Sequence, residues 1–212
     1  MELLEQTASA VISGDDKRVA ELTGQLIEQR VPAKTILDDG LIAGMDVVGR
    51  RFKAHEIFLP DVLLAAKAMY AGMELLKPLF IEEGVPSQGR VVIGTIRGDL
   101  HDIGKNLVGI MLKGAGYDVI DLGKDVPPED LVRAATEHEA SIIGMSALLT
   151  TTMPAMQEVV ELLDKEGLSG RINTIVGGAP VTKEFARDIG ATAYGYDAAN
   201  AVERVKQLIP EV

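Results

Sequence analysis

The strongest constraint on the fold is a repeated alternation of short apolar segments and amphipathic stretches in the second part of the chain. The apolar segments are VVIGTI (91–96), YDVIDL (117–122), SIIGMSA (141–147), NTIVGG (173–178) and TAYG (192–195). Residues at helical spacing follow each of them and predict helices over 103–115, 128–138, 154–166, 182–189 and 198–208. Strands this apolar need both faces covered. The pattern therefore predicts an α/β fold, with a parallel sheet between two layers of helices.

The number of repeats also predicts the order of the strands. Five β–α units favour a flavodoxin-like, Rossmann-type sheet with strand order 2-1-3-4-5, in which strands one, three and four are neighbours. A ligand then lies beyond the carboxyl ends of these strands. The loops at that edge are RGDLHDIG (97–104), SALLTTTM (146–153) and GGAP (177–180). We expect the binding site among them.

The first part of the chain has a helical pattern instead. Apolar residues at helical spacing predict four helices before residue 84, separated by signals such as Ser13-Gly14 and Val31-Pro32. Helices with such short connections form a small bundle. The segment GVPSQGR (84–90) has the composition of a linker. We therefore predict a four-helix bundle domain over residues 1–88 and an α/β domain over residues 89–212.

Composition and charge exclude several classes of function. The chain has no Cys, which removes disulfides, a thiol nucleophile, and Cys-based zinc and iron–sulfur sites. Its formal net charge is −11, which repels nucleic acid and anionic membrane surfaces. No apolar run has the length of a signal peptide core or of a membrane span. We expect a cytoplasmic protein that binds neither nucleic acid nor membrane.

The first loop places a histidine beside carboxylates. Asp99 can accept one ring N–H of His101, which leaves the other ring nitrogen pointing outward, and Asp102 is a candidate N-cap for the next helix. The loop does not fit a Walker A motif, because its glycines enclose five residues and Lys105 is followed by Asn106. The dinucleotide fingerprint is also missing. A zinc site would need more ligands than this loop supplies.

Three motifs together resemble a known signature. GDLHDIGKNLV, SALLTTTM and VGGAP, in this order and at these intervals, resemble the DxHxxG, SxL and GG motifs of cobalamin-binding domains. The stretch GMDVVGRRFKAHEIFLPDVLLAAKAM (44–69) is similar to the helical cap of cobalamin-dependent methyltransferases, although His55 stands where many relatives have a small residue. The resemblance covers nearly the whole chain. It is greatest to the small corrinoid proteins of three-component methyltransferase systems, which in turn resemble the corrinoid module of methionine synthase.

The resemblance implies a role for each matching residue. His101 would ligate cobalt from below, with the benzimidazole base of the cofactor displaced from the metal. Asp99 would accept the other ring N–H, and Thr152, where methionine synthase has serine, would donate to Asp99. The other implied cofactor contacts are Gly98, Leu100, Asp102, Ile103, Gly104, Ser146, Leu148, Thr150, Gly177, Gly178 and Ala198, with Phe58, Val62 and Met69 in the cap. Tyr196-Asp197-Ala198 is a weaker match, near the end of the nucleotide tail.

The implied function is that of a methyl carrier, which is not expected to be catalytic alone. We find no acid–base pair in the sequence that would activate a methyl donor. The implied partners are a donor-specific methyltransferase, a second methyltransferase that uses a folate or thiol acceptor, and a reductive activase. Because both methyltransferases need the upper face of the cofactor, the segment 84–89 is expected to act as a hinge. The sequence leaves the donor open among methylamines, glycine betaine, methanol and methoxylated aromatics.

Other interpretations remain open at this point. A cobalamin-dependent mutase small subunit shares the three motifs but needs no helical cap, and a cobalamin-based sensor needs an output module. A carrier should hold a methyl-competent corrinoid, whereas mutases and sensors prefer the adenosyl form. Several residues also have purely structural alternatives. These are bundle core for Phe58, Val62 and Met69, a tight turn for Gly177-Gly178, a helix cap for Ser146 or Thr152, and the protein surface for His55 and His138.

Overall fold

The computed structural model describes residues 2–83 and 87–209. The chain divides into a helical unit, which comprises the residues up to Ser87 together with Gly114–Gly116, and an α/β unit, which comprises Gln88–Lys113 and the residues from Tyr117 onward. The linker predicted over 84–90 lies partly outside the described residues, since only its last four are among them. Within the two described ranges, no helix is both long and apolar enough to span a membrane.

The helical unit contains the helices predicted from the periodicity. They are α1 (Glu2–Ile12), α2 (Asp16–Glu28), α3 (Ala33–Thr35), a π-helical segment (Ile36–Ile42), α4 (Ala43–Lys53) and α5 (Leu59–Glu83). The stretch from Ala33 to Lys53 is thus one helical run, interrupted by a wide π-helical turn that the sequence pattern did not predict. Gly40 within this turn is buried, and a Cβ there would lie 3.4 Å from Thr7 Cγ2. The wide turn packs closely on α1 at this point.

The α/β unit alternates strands and helices along the chain. It contains β1 (Arg90–Thr95), α6 (Ile103–Gly114), β2 (Asp118–Asp121), α7 (Pro128–Glu137) and β3 (Ile142–Ser146). It continues with α8 (Pro154–Lys165), β4 (Asn173–Gly177), α9 (Lys183–Asp188), β5 (Ala193–Gly195) and α10 (Ala198–Leu208). The strands pair in parallel in the order β2-β1-β3-β4-β5. The predicted fold class and strand order are confirmed.

The apolar strands explain why this sheet forms. Residues 91–95 of β1 are all buried, and the β3 and β4 residues beside them are mostly buried too, so side chains on both faces are covered. Parallel pairing aligns Thr95 with Ser146 and Ser146 with Gly177. The ends of β1, β3 and β4 therefore lie at one edge, and the loops that follow them meet there.

Candidate cofactor site

A buried carboxylate joins two of the loops at this edge. Asp99 Oδ1 lies 2.7 Å from His101 Nδ1 and accepts the main-chain N–H of His101 at 3.0 Å. Asp99 Oδ2 accepts the main-chain N–H groups of Leu148 at 2.7 Å and Leu149 at 3.1 Å. Thr152 Oγ1 lies 3.0 Å from the same oxygen. The Asp99 side chain is fully buried, so these contacts replace its hydration.

The hydrogen bonds keep this carboxylate charged. Burial alone would raise the pKa of Asp99, but the N–H groups of His101, Leu148 and Leu149 and the His101 ring outweigh it and hold the pKa well below its usual range. An ionised carboxylate only accepts hydrogen bonds, so the contact with His101 assigns a proton to Nδ1. In the neutral ring Nε2 then carries a free lone pair. Because the His101 side chain is 53% exposed, that nitrogen can reach a ligand.

The backbone of the first loop explains how His101 reaches this place. Gly98 has φ +84°, a conformation that L side chains rarely adopt. Thr95 Oγ1 donates to the His101 carbonyl at 3.1 Å and holds the far end of the loop. The Asp102 carbonyl accepts the Asn106 N–H at 2.8 Å, which places Asp102 at the start of α6 as predicted. The loop thus turns sharply at Gly98 and delivers His101 just before a helix.

A pocket of about 320 Å³ lies within the α/β unit. Its walls are the strands β1, β3, β4 and β5 with the starts of α6 and α10, and most of the lining is apolar. Of the predicted contact residues, it includes Gly104, Ser146, Gly177, Gly178 and Ala198. Tyr196 and Asp197, the weaker match, also line it. The pocket therefore gathers residues that the three sequence motifs place more than seventy positions apart.

Three glycines of the pocket occupy their positions for different structural reasons. A Cβ on Gly178 would lie 1.8 Å from the Ala147 carbonyl oxygen, so this glycine is required by the close approach of two loops. A Cβ on Gly177 would lie 2.8 Å from the Gly195 oxygen. Gly104 is different, because no atom lies within 4 Å of the place where its Cβ would be. Alanine is favoured over glycine in helices, and the absence of a side chain here leaves open space in the pocket wall.

The exposure of the other predicted contact residues differs, and it bears on whether each could touch a cofactor or belongs to the core. Leu100, Ile103 and Leu148 are large apolar side chains that remain exposed, and Thr150 is exposed too. In the helical unit Phe58 is 70% exposed, whereas Val62 and Met69 are fully buried. Burial favours the bundle-core alternative for Val62 and Met69. A role for Phe58 in covering a cofactor stays a prediction.

Thr152 does not cap the helix that follows it. The N-cap of α8 is Met153, with no side-chain hydrogen bond, and Thr152 Oγ1 instead lies near Asp99 Oδ2 and 2.9 Å from the Leu149 carbonyl. Ser146 ends β3 and lines the pocket, so it does not cap a helix either. His55 and His138 are both exposed, as the surface alternative predicted.

Some residues at this edge were not predicted from the sequence. Lys105 lines the pocket with only 4% of its surface exposed, and its Nζ lies 2.6 Å from Asp121 Oδ1 and 2.7 Å from Asn106 Oδ1. Buried lysines need such partners. Leu149, whose N–H binds Asp99, was also missed. The sequence feature that could have indicated a buried Lys105 is Asp121, an acidic residue at the end of strand β2.

Comparisons with known proteins agree with this geometry. Residues 89–205 match the family model of the B12 binding domain, and residues 3–77 match a second model with the same description. The chain is 43% identical to dimethylamine corrinoid protein 3 of Methanosarcina acetivorans over 98% of this chain and 97% of that protein. It is 41% identical to a corrinoid protein of Desulfitobacterium hafniense over 99% of this chain and 98% of that protein.

A solved structure shows the same fold over almost the whole chain. It is a chain of the methanol:cobalamin methyltransferase complex MtaBC from Methanosarcina barkeri, with a TM-score of 0.87 and 36% identity over 98% of this chain and 80% of that chain. Fold, motifs and relatives thus agree with one another. The protein belongs to the B12-binding corrinoid proteins of methyltransferase systems, and its cofactor is cobalamin or a related corrinoid.

Proposed function

We propose that this protein is a methyl carrier that binds cobalamin with the base of the cofactor displaced and His101 as the lower axial ligand. The observation that carries the proposal is the contact between His101 Nδ1 and the buried Asp99 carboxylate at 2.7 Å. It fixes the tautomer and the direction of the ring before any ligand binds. Metal-binding histidines are commonly held in this way by a carboxylate on the other ring nitrogen.

The surface around His101 suits a flat, largely apolar macrocycle. Leu100 and Ile103 flank the histidine in the chain, while Leu148 and Leu149 are brought beside it through their bonds to Asp99. All four side chains are more than two-fifths exposed, which is unusual for leucine and isoleucine at one place. A corrin ring over His101 would cover them and remove apolar surface from water.

The pocket suits the displaced nucleotide tail. Its apolar walls can enclose an aromatic base, and its polar groups, which include Ser146 and Tyr196, can bind sugar or phosphate oxygens. The open space beside Gly104 would let the tail pass the first turn of α6. Gly98, Asp102, Thr150, Gly177, Gly178 and Ala198 complete the proposed contacts.

The protein and the cofactor would have separate tasks. A bound corrinoid supplies a cobalt centre that can accept and release a methyl group. Asp99 orients the imidazole and retains the proton on Nδ1, and the Thr152 hydroxyl can shift its hydrogen bond between Asp99 and the Leu149 carbonyl. These groups would adjust the basicity of His101. None of them is placed to activate a methyl donor, so a partner methyltransferase would do so.

The relatives indicate which partners to test first. The names of the matched proteins refer to dimethylamine and to methanol. We propose a methylated amine as the donor class, because the dimethylamine corrinoid protein has the higher identity of the two. A second methyltransferase with a folate or thiol acceptor would remove the methyl group, and a reductive activase would restore the reduced cofactor.

Reconstitution tests this function directly. The purified chain, mixed with excess hydroxocobalamin and passed through gel filtration, should retain the cofactor with a ratio near one per chain. After reduction, it should be methylated by a methylamine:corrinoid methyltransferase in the presence of its amine. A methanol-specific enzyme serves as the comparison. A chain that emerges without bound cobalamin, or that no donor enzyme methylates, would contradict the proposal.

Larger side chains at Gly104 should lower cobalamin affinity without lowering the stability of the free protein. In the free protein, Gly104→Ala should leave stability unchanged or raise it by up to about 1 kcal/mol, because alanine is the better helix former and meets no atom. Cobalamin affinity should nevertheless fall, and Gly104→Leu should lower it by tenfold or more. Thermal unfolding and equilibrium dialysis measure the two effects.

A matched control exists for this substitution. Gly24 lies inside α2, also with no atom near its Cβ position, so Gly24→Ala should raise stability without changing cobalamin binding. Cobinamide, which lacks the nucleotide tail, should bind Gly104→Leu almost as well as it binds the original chain. Equal losses for cobalamin and cobinamide would count against the tail passing Gly104.

A further inference from the structure

The loop that carries His101 has a second attachment, on the side away from Thr152. Asp125, in the loop between β2 and α7, accepts the Gly98 N–H through Oδ1 at 2.7 Å. Its own N–H donates to the Asp99 carbonyl at 3.0 Å. Asp125 thus holds both ends of the Gly98-Asp99 dipeptide. No sequence motif pointed to this residue.

The backbone of Asp125 is adapted to these two bonds. Asp125 has φ +57° and faces Gly98, whose φ is +84°. The left-handed region costs about 1 kcal/mol or more for most L residues, and Asp and Asn tolerate it best after glycine. A strained residue that persists at the edge of a binding site needs a reason in the surrounding structure. Here the conformation allows one residue to donate and accept across the same loop.

The loop of Asp125 is itself fixed to the sheet. Asp121 Oδ1 accepts the Gly123 N–H at 2.8 Å, and the Gly123 carbonyl accepts the Thr95 N–H at 2.9 Å. On the other side of Asp125, the Val126 N–H donates to the Thr95 carbonyl at 3.0 Å. Asp125 is therefore held between two attachments to the end of β1. The backbone on both sides of Asp125 is thus hydrogen-bonded to the sheet or to its loop.

We propose that Asp125 is a positioning residue for His101. The proposal depends on the function proposed above, in which His101 is the axial ligand. The Asp99 side chain fixes the His101 loop from the β3 side, and Asp125 fixes its main chain from the β2 side. With Asp125 removed, the loop keeps the Asp99 contacts but gains freedom at Gly98. His101 then spends less time in the direction needed to hold cobalt.

Three variants distinguish the effect of the Asp125 carboxylate from the effect of its left-handed backbone. Asp125→Gly removes the carboxylate but keeps the left-handed backbone accessible, and Asp125→Asn keeps both an acceptor oxygen and tolerance of that backbone. Glu139→Gly is the matched control, because Glu139 is another non-glycine residue of the α/β unit with positive φ, at 51°, and it lies in the turn before β3. All three should fold, as checked by thermal unfolding.

Two measurements are made on these variants. The first is amide hydrogen exchange of residues 97–102 in the cofactor-free protein, where Asp125→Gly should exchange about fivefold to tenfold faster, as expected for the loss of one hydrogen bond. The second is the EPR spectrum of the bound, one-electron-reduced cofactor in 15N-labelled protein, where a two-line nitrogen splitting reports the fraction with histidine on cobalt and a three-line splitting reports the cofactor's own base. Asp125→Gly should lower that fraction, while Asp125→Asn and Glu139→Gly should stay within twofold of the original chain in both measurements.

The outcomes distinguish this inference from the proposed function. If the original chain binds cobalamin with no histidine on cobalt, the proposed function fails. If the original chain shows histidine on cobalt and Asp125→Gly equals it in both measurements, Asp125 does not position His101. A lower unfolding temperature for Asp125→Gly with an unchanged histidine-on fraction would also overturn the inference, because it would reveal a structural role alone.

Discussion

Replacement of His101 by alanine should remove the two-line splitting by protein nitrogen from the EPR spectrum of one-electron-reduced cobalamin bound to 15N-labelled protein. The same variant should bind cobalamin at least tenfold more weakly, because the only imidazole held at this edge by a buried carboxylate among the described residues is lost. Stability of the free protein should change little, since the His101 side chain is half-exposed. Spectroscopy and equilibrium dialysis on one preparation measure both effects.

The two other histidines of the chain provide the controls. His55 and His138 are exposed, and alanine at either position should leave the spectrum unchanged. An unchanged splitting in His101→Ala would remove the axial assignment. Retention of the splitting in that variant together with its loss in His55→Ala or His138→Ala would assign the ligand elsewhere.

Replacement of Asp99 by alanine should have the largest effect on stability. The change removes the buried acceptor that the N–H groups of His101, Leu148 and Leu149 share, whereas the Thr152 hydroxyl can still donate to the Leu149 carbonyl. Each unsatisfied buried group costs about 1–3 kcal/mol, so a loss of about 3 kcal/mol or more is expected for the variant. Cobalamin affinity should also fall by tenfold to a hundredfold, because His101 loses its orienting partner. Denaturant unfolding of the free protein and cofactor titration provide the numbers.

Two comparisons test the cause of that effect. Asp99→Asn keeps one acceptor oxygen and should be less destabilising than alanine. Asp188→Ala changes an exposed aspartate in the same unit and should stay within about 0.5 kcal/mol of the original chain. If Asp99→Ala proved no less stable than Asp188→Ala, the carboxylate would not hold the two loops together.

The sequence was sufficient to predict the sheet and the centre of the site. Strand order followed from the apolar blocks, because strands buried on both faces leave few arrangements open. The Asp99–His101 contact was predictable because the two residues are only two positions apart in one loop, so their side chains must lie close together. Thr152 was left between two roles, and only the arrangement of the loops decided between them.

Other features could not be predicted, because they depend on how separate segments approach one another. Asp125 accepts the Gly98 N–H across two loops in which both residues have positive φ, and nothing in the local pattern requires this. The Lys105–Asp121 pair joins a helix to a neighbouring strand. Burial of Val62 and Met69 depends on packing in the helical unit, where apolar residues at helical spacing fit a core and a cofactor cover equally well.

The pocket between the strands and the starts of α6 and α10 has a consequence for the lifetime of the protein in the cell. A ligand in this pocket would give its walls interior contacts like those of a filled core. A ligand that binds only the folded form adds stability as its concentration rises above the dissociation constant. Vitamin supply would then set how long each molecule survives proteolysis, and scarcity would reduce the amount of carrier as well as its loading.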